Sequence, residues 1–303
     1  MFEIKKSAHR LGRVLGCHVL KRGITIELKI YGVTGTVPFK AGASHFSGNT
    51  SCMVVESQGF CMVIDAGTGI LGFQQELKRK HPDFPAGINQ RIPIVLSHLH
   101  LDHIIGLGAF APVWHPDSQL DIYAVPYNGR PLKDLLFEVF KPPYWPVVMN
   151  ESTVTFNALS RGGITDIGPF RVNTFSAPHP DNASNFHISD GRKSLVYLLD
   201  AEVRSLDAPA YQKLSEICAR ADVVIFDAAF APKDYENRRG WGHSTYEDGI
   251  KLAEDSGCKR IVFTHFSPEY GYNDLFAWQQ DVKTRFPDGD KYIFAKEGME
   301  LSL

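Results

Sequence analysis

The chain has 303 residues, of which 44% are hydrophobic and 12% aromatic, as expected for a folded protein that buries one large core or two modest ones. Its formal net charge of -2 provides no overall basic field, so the composition does not favour nucleic acid or an anionic membrane as a partner. The scattered cysteines, never spaced C-x-x-C, predict free thiols in a reducing compartment and therefore the cytoplasm: Cys17, Cys52, Cys61, Cys218 and Cys258.

The first 24 residues are predicted to form an extension in front of a single domain that spans residues 25–303. Basic and apolar residues are interleaved in this extension, which is typical of a short amphipathic helix. It is interpreted either as an added helix or partner contact, or as a terminus that frays at the surface. No apolar stretch reaches the roughly 18 residues of a membrane span, so membrane insertion is not predicted. The charged residues K-K-S-A-H-R-L-G-R before residues 14–17 provide no apolar signal-peptide region, so neither secretion nor lipidation is predicted.

From residue 26 onward, predicted strands and helices alternate. Strands are predicted at 26–31, 51–56, 60–65, 92–96, 120–125, 154–159, 171–175, 194–199, 223–226, 260–263 and 292–295. Helices are predicted at 70–80 and 208–221, and after His243, where Ser244 and Glu247 predict a capping box and Gly257 predicts the end of the helix. The pattern indicates an α/β fold in which helices cover the outer faces of sheets.

The most informative segment is residues 95–103, V-L-S-H-L-H-L-D-H, which directly follows an apolar run typical of a buried strand. It places four possible metal ligands within six positions: His98, His100, Asp102 and His103. At an extended strand end, His98 and His100 project to the same side, and the Asp-His pair can turn back toward a neighbouring point. The segment therefore predicts two adjacent metal positions rather than a solvated polar loop.

Three further residues occupy comparable positions. Asp200 closes the apolar run L-V-Y-L-L-D, His265 closes R-I-V-F-T-H, and His179 lies in a loop stiffened by flanking prolines. A carboxylate at the end of a buried strand is unfavourable unless it is paired or bound to a metal. Each residue alone is more typical of a structural role, but together they predict one site. Asp65, which ends another strand, is predicted either to orient a ligand imidazole or to cap the following turn.

These motifs, in this order, resemble the metallo-β-lactamase superfamily of binuclear metallohydrolases over residues 26–303. The segments S-G-N-T-S-C at 47–52, A-P-H-P at 177–180 and G-W-G-H-S-T at 240–245 are similar to the phosphodiesterase branch. That branch contains tRNase Z, the phosphonate-pathway cyclic phosphodiesterase and bacterial cyclic-nucleotide phosphodiesterases. The resemblance implies an αββα four-layer sandwich, with two mixed sheets flanked by helices.

The resemblance also implies which residues bind metal. One ion would be held by His98, His100 and His179, and the second by Asp102, His103 and His265, with Asp200 bridging both. Imidazole and carboxylate ligands suit Zn²⁺, and they also admit Mn²⁺ or Fe²⁺. No cysteine is among these implied ligands, unlike in many β-lactam-cleaving relatives. His100 stands where flavodiiron relatives have Glu, so a redox role is disfavoured.

The implied reaction is attack on a phosphodiester by a hydroxide that bridges the two metals, with Asp102 accepting a hydrogen bond from it. His243 is predicted to donate a proton to the leaving group, next to a phosphate held at the N-terminus of the following helix. Alternatives are a metal-dependent thioester or lactone hydrolase, an RNA-processing endonuclease similar to tRNase Z, and a non-catalytic nucleotide-binding or scaffold protein.

The expected partner is a small phosphodiester, with a cyclic nucleotide as the leading candidate and a second copy of the chain as another candidate partner. Residues 201–242 look like ordinary helix, strand and loop, whereas long-armed tRNase Z enzymes carry a flexible protrusion for RNA. The aromatic residues of segment 126–150 are interpreted either as a lid or as packing of a helix against the sheet. Asn185 and His187 are predicted to be within reach of a phosphate.

Overall fold

A computed structural model describes residues 25–39, 46, 48–86, 91–149, 151–176, 178–181, 183–287 and 290–303. The first sheet contains β1 (Glu27–Gly32), β2 (Cys52–Ser57), β3 (Phe60–Ile64), β4 (Ile92–Val95), β5 (Leu120–Ala124), β6 (Val154–Ala158) and β14 (Glu300–Ser302), in the order β14-β1-β2-β3-β4-β5-β6. The second contains β7 (Ile164–Ile167), β8 (Phe170–Ser176), β9 (Ser184–Ser189), β10 (Ser194–Leu198), β11 (Val223–Asp227), β12 (Ile261–Thr264) and β13 (Tyr292–Phe294), in the order β13-β12-β11-β10-β9-β8-β7.

Both sheets are mixed. Strands β3 to β6 run parallel to one another, and so do β10 to β13, whereas the other neighbouring strands pair antiparallel. Helices α1 (Ile70–Lys80) and α4 (Leu132–Val139) pack on the first sheet, and the short α2 (Leu101–Ile104) and α3 (Ala111–Trp114) follow β4. Helices α5 (Ala208–Ala219), α6 (Tyr246–Ser256) and α7 (Tyr272–Arg285) flank the second. The predicted αββα sandwich is confirmed.

The two-residue period of a strand explains the layers. Along β2, Met53 and Val55 face the core between the sheets, whereas Cys52 and Val54 pack in the cluster beneath α1. Strands of the first sheet are therefore apolar on both faces, because one face meets the second sheet and the other meets helices. The end of such a strand is where a polar side chain can first reach solvent or a cavity.

Some predictions differ from the structure or lie outside the described residues. Strands β7 and β9 and helix α7 were not predicted. In β9, Phe186 and Ile188 face the core, and the residue between them, His187, is polar. The extension of residues 1–24 lies outside the described residues, as do Ser47 and Ala177 of the quoted motifs. Among the described residues, no helix is long and apolar enough to cross a membrane.

The predicted capping box of α6 is wrong by one residue. Thr245 is the N-cap and pairs reciprocally with Asp248. Ser244 instead donates a hydrogen bond from Oγ to the carbonyl oxygen of Ala201 at 2.5 Å, which ties this segment to the loop after β10. The acidic residues of the first turn, Asp248 and Glu247, are paired with Arg204 and Arg285, and the phosphate predicted at this helix end stays a prediction.

Glu76 connects α1 to the first sheet. Its carboxylate accepts hydrogen bonds from Lys29 Nζ at 2.9 Å, from the hydroxyl of Tyr31 and from Lys80 Nζ. Burial opposes ionisation, but the hydrogen bonds from Lys80, Tyr31 and Lys29 outweigh burial and lower the pKa of Glu76 to about 2. The ionised carboxylate therefore stabilises the fold.

We expect Glu76→Gln to lower the free energy of unfolding by about 1–2 kcal/mol at pH 7. A carboxyl with a depressed pKa stabilises the fold above its ordinary pKa of 4.5, and this stabilisation is lost as the pH falls toward 2. The difference between wild type and variant should therefore shrink across that window in urea unfolding curves. Glu138→Gln, which removes an exposed partner of Arg130, is the control and should change little. A difference that is constant with pH would contradict the assignment.

Candidate metal centre

The predicted site residues lie at one end of the sandwich, beyond the carboxyl ends of parallel strands in both sheets. They follow β4, β10 and β12, occupy α2, or lie in the β8–β9 connection and just before α6. This end encloses a cavity of about 480 Å³. The structure brings together every predicted ligand and the predicted acid: His98, His100, Asp102, His103, His179, Asp200, His243 and His265.

A first cluster is formed by His98, His100, His179 and Asp200, whose ligand-type atoms all lie within 4.8 Å of one another. Nε2 of His98 and Nε2 of His179 lie 3.7 and 3.6 Å from Oδ1 of Asp200. Burial lowers the pKa of His98 well below its usual range and that of His179 to about 4. Both rings are therefore neutral at pH 7, which is the form that binds metal.

A second cluster is formed by Asp102, His103 and His265, again within 4.8 Å of one another. Nε2 of His265 lies 3.3 Å from both Oδ2 of Asp102 and Nε2 of His103. Asp200 turns its other oxygen, Oδ2, toward this cluster, at 3.1 Å from His103 and 3.6 Å from His265. One carboxylate thus faces both clusters, as a bridging ligand must.

Hydrogen bonds hold the ring nitrogens that point away from the clusters. Nδ1 of His103 donates to Asp65 at 2.7 Å, and Nε2 of His100 donates to Asp181 at 2.7 Å. Such contacts fix the tautomer and direct the other nitrogen of each ring into the cluster. Asp181 was not predicted. Its position, two residues after His179 in the same proline-flanked loop, could have indicated that it lies near the site.

Asp65 accepts more hydrogen bonds than a turn-capping residue needs. Besides His103, it accepts from Ser97 N at 2.7 Å, from Ser97 Oγ at 2.9 Å and from the hydroxyl of Tyr197 at 2.6 Å. Asp65 also has a positive φ of 57°, as do Asp200 (50°) and His265 (63°). Left-handed backbone is unfavourable for such residues and persists where the surroundings enforce it. The geometry matches the predicted orienting role.

Because Asp65 orients His103, Asp65→Asn is expected to weaken metal binding by about 10- to 100-fold. Competition with a chromogenic chelator measures this affinity directly. Asp190→Asn is the matched control, since Asp190 also accepts several hydrogen bonds but lies at the β9–β10 turn, away from the cavity. If the Asp65→Asn protein folds and binds metal as tightly as wild type, this result would contradict the orienting role of Asp65.

His243 is held by a carboxylate that the sequence analysis missed. Its Nδ1 donates to Oδ2 of Asp227 at 2.8 Å, and Asp227 is fully buried at the end of β11. Burial disfavours the charged ring, but Asp227 and Asp200 outweigh burial and raise the pKa of His243 to about 9. The sequence does indicate Asp227, because the apolar run V-V-I-F-D ends in a carboxylate just as L-V-Y-L-L-D does.

Two glycines let backbone approach the imidazoles closely. Gly242 has φ of 88°, and a Cβ there would lie 2.4 Å from Cδ2 of His179. A Cβ on Gly35 would lie 2.7 Å from Cε1 of His265. A larger residue at either position would displace a ligand ring, so glycine allows the backbone to pack directly against these imidazoles.

Two other predicted contacts lie away from the cavity. Asn185 and His187 occupy β9 and do not line the cavity, so the structure does not support their predicted contact with phosphate. In segment 126–150, Phe140 is buried and its ring lies 5.7 Å from that of Trp145, while Tyr144 is exposed. The buried residues of the segment belong to the hydrophobic cluster on the outer face of the first sheet, which favours the packing interpretation for them. None of its described residues lines the cavity, although the hydroxyl of Tyr127 donates to Asp181 at 3.3 Å.

Comparison with known proteins gives a consistent picture. A family model described as "Beta-lactamase superfamily domain" matches residues 62–266. A ribonuclease Z from Bradyrhizobium diazoefficiens is 25% identical over 273 residues, which cover 76% of this chain and 87% of the relative. The fold is similar to that of the metallo-β-lactamase fold protein YhfI from Bacillus subtilis, with a TM-score of 0.66 and 20% identity over 92% of this chain and all of that one. It is also similar to human tRNase Z, short form, with a TM-score of 0.61 and 19% identity over 91% of this chain and 98% of that one.

Proposed function

The chain belongs to the β-lactamase superfamily of hydrolases, and we propose that it cleaves a phosphodiester bond with two bound Zn²⁺ ions. The leading substrate is a small cyclic nucleotide. The observation that carries the proposal is the position of Asp200, whose two oxygens face two separate groups of ligand-type side chains. That arrangement suits two metal ions a few ångströms apart, which is the spacing of two-metal hydrolytic sites.

The donor set fits such a pair of ions. Nε2 of His98 is buried without a hydrogen-bond partner, which is unfavourable unless another group binds it. Neutral imidazoles and carboxylates are ligands that Zn²⁺ accepts, and Mn²⁺ and Fe²⁺ accept them as well. When bound, two divalent ions supply a water of lowered pKa and neutralise charge on the phosphate oxygens.

The remaining residues position the reacting groups. The backbone N–H of Thr36 donates to Oδ2 of Asp102 at 2.7 Å and fixes that carboxylate. Asp227 holds Nδ1 of His243, so Nε2 is the nitrogen available to give a proton to the leaving oxygen. His243 lines the same cavity as Asp200, which supports the proposal that it protonates a leaving group there.

The surroundings of the cavity favour a small substrate over a long RNA. Asp181 and Glu269 lie at its rim, and Glu269 is paired with Arg238, so the described residues of the rim offer little positive charge for a polyanion. Residues 201–242 form α5, β11 and short helical turns rather than a protruding arm.

A second candidate is a ribonuclease that processes RNA. It is favoured by the relative from Bradyrhizobium diazoefficiens, which carries the name ribonuclease Z. The same metal centre would hydrolyse the phosphodiester of an RNA strand, so the two candidates differ in what the rim binds and not in the chemistry.

The test is a turnover screen with purified protein of measured zinc, manganese and iron content. The substrates are bis(p-nitrophenyl) phosphate, cyclic mononucleotides, cyclic dinucleotides, a precursor tRNA, and a thioester and a lactone. We expect chelator-sensitive hydrolysis of the phosphodiesters, fastest for a cyclic nucleotide. Preferred cleavage of precursor tRNA would establish the second candidate. Turnover of the thioester or lactone alone, or nucleotide binding without turnover by metal-replete protein, would overturn the proposal.

A further inference from the structure

The mouth of the cavity carries a large aromatic side chain that is left in water. Trp241 is 59% exposed, yet it lines the same cavity as Asp200 and His243. Exposed indole at the mouth of a catalytic cavity is apolar area that a flat ligand can cover. Its position is therefore informative about the non-phosphate part of the substrate.

The backbone on both sides of Trp241 is fixed by one buried carboxylate. Glu202 is 2% exposed and accepts hydrogen bonds from Gly240 N at 2.9 Å and from Gly242 N at 3.1 Å. The hydroxyl of Tyr235 donates to the same carboxylate at 2.8 Å. Burial of a carboxylate is unfavourable unless the carboxylate is hydrogen-bonded. The hydrogen bonds to Glu202 therefore stabilise this conformation of the loop. Trp241 is thus held in place while it is exposed.

The indole is also held from one side by neighbouring groups. Its ring lies edge-on to Phe230, with centroids 6.2 Å apart, and the guanidinium of Arg238 lies 5.8 Å from the Trp241 centroid. Arg238 lies 5.0 Å from the Phe230 centroid as well and is paired with Glu269. These contacts orient the indole but leave most of its surface free, which is the arrangement of a preorganised stacking surface.

Trp241 and His243 contact the same aromatic ring. The centroid of Phe230 lies 6.2 Å from that of Trp241 and 5.5 Å from that of His243. In a nucleotide, one ribose ring joins base and phosphate, so a base on Trp241 and a phosphate beside His243 are compatible with one ligand. We propose that Trp241 stacks on the base of a nucleoside phosphodiester whose phosphate lies beside His243. This inference rests on the proposed function and names its substrate class.

Two chromogenic phosphodiesters with the same leaving group test the assignment. Thymidine 5′-(p-nitrophenyl) phosphate carries a base, and methyl p-nitrophenyl phosphate does not. Because stacking of a base on an aromatic side chain accounts for roughly 10-fold or more in binding, Trp241→Ala should reduce kcat/KM for the thymidine ester at least about 10-fold more than for the methyl ester. The loss should lie in KM, and Trp241→Phe should retain most of the selectivity. Equal losses for both substrates would overturn the proposal.

Tyr144→Ala is the matched control, because Tyr144 is 78% exposed but does not line the cavity. It should leave the ratio of the two kcat/KM values unchanged. If Tyr144→Ala changed that ratio as much as Trp241→Ala, the effect would not belong to the cavity and the proposal would fail.

A binding measurement separates this inference from the proposed function. Thymidine 5′-monophosphate should quench tryptophan fluorescence in wild type, ribose 5-phosphate should not, and the quenching should be absent from Trp241→Phe. Selective quenching in a protein without phosphodiesterase activity would support the stacking site and refute the proposed function. Hydrolysis without selective quenching would support the proposed function and refute the stacking site, and the lack of both would refute both.

Discussion

Replacing His243 by alanine is expected to lower turnover of a cyclic nucleotide by about 10²- to 10⁴-fold while the protein keeps both metal ions, because removal of a general acid has effects of this size. The structural reason is that Nδ1 of His243 is occupied by Asp227, while the ring lines the cavity. The measurement combines steady-state kinetics with metal analysis of the same protein sample.

The leaving group makes this prediction sharper. An alkoxide needs a proton as it departs, whereas p-nitrophenolate leaves readily without one. His243→Ala should therefore lose much more activity toward a cyclic nucleotide than toward bis(p-nitrophenyl) phosphate. Asp227→Asn should show a weaker form of the same pattern, since it disturbs the tautomer of His243 and leaves the ring in place. His115→Ala, at a histidine outside the site, should behave as wild type.

Two outcomes would contradict the acid assignment for different reasons. Activity near wild type toward cyclic nucleotides would show that another group protonates the leaving oxygen. Loss of one metal ion would show that His243 is a ligand, which its geometry permits, because His243, Asp200 and His265 also offer ligand-type atoms within 4.8 Å of one another.

The ligand set could be predicted because its sequence signal is local. A buried strand that ends abruptly in a histidine or carboxylate is unusual, and β4, β10 and β12 each lead into such a residue at His98, Asp200 or His265. Parallel strands bring their carboxyl ends to the same edge of a sheet, so Asp200 and His265 converge in the second sheet. His98 joins them because β4 of the first sheet ends at the same end of the sandwich. The same reasoning applied to β11 would have found Asp227.

The supporting contacts could not be predicted, because they depend on how the layers meet. Tyr197 donates to Asp65 across the core from the other sheet, and nothing in either local segment indicates the partner. The same holds for Glu202, whose carboxylate binds backbone N–H groups about 40 residues later in the chain. The N-cap of α6 was predicted wrongly for a different reason. Ser244 and Thr245 are both favourable N-cap residues, but the side chain of Ser244 hydrogen-bonds the loop after β10, so Thr245 caps the helix.

Removal of the charge on Asp200 is expected to disrupt the metal centre itself. Asp200 is 1% exposed, and its two oxygens lie 3.1–3.7 Å from four imidazoles, so no other described side chain contacts both clusters in this way. Asp200→Ala should therefore retain about one tightly bound metal ion or fewer after dialysis and lose measurable phosphodiester turnover, since a two-metal site needs both ions. Metal analysis after dialysis against a weak chelator measures the first effect.

Asp200→Asn separates the role of the charge from that of the backbone. Asn tolerates the left-handed conformation that Asp200 adopts at φ of 50°, whereas Ala adds backbone strain. Wild type should gain thermal stability when metal is added, because a ligand that binds only the folded state stabilises it. Asp200→Asn should fold and melt cooperatively but lose most of that gain. An Asp200→Asn or Asp200→Ala protein that still holds two metal ions tightly would contradict the bridging position of this carboxylate, and with it the binuclear proposal.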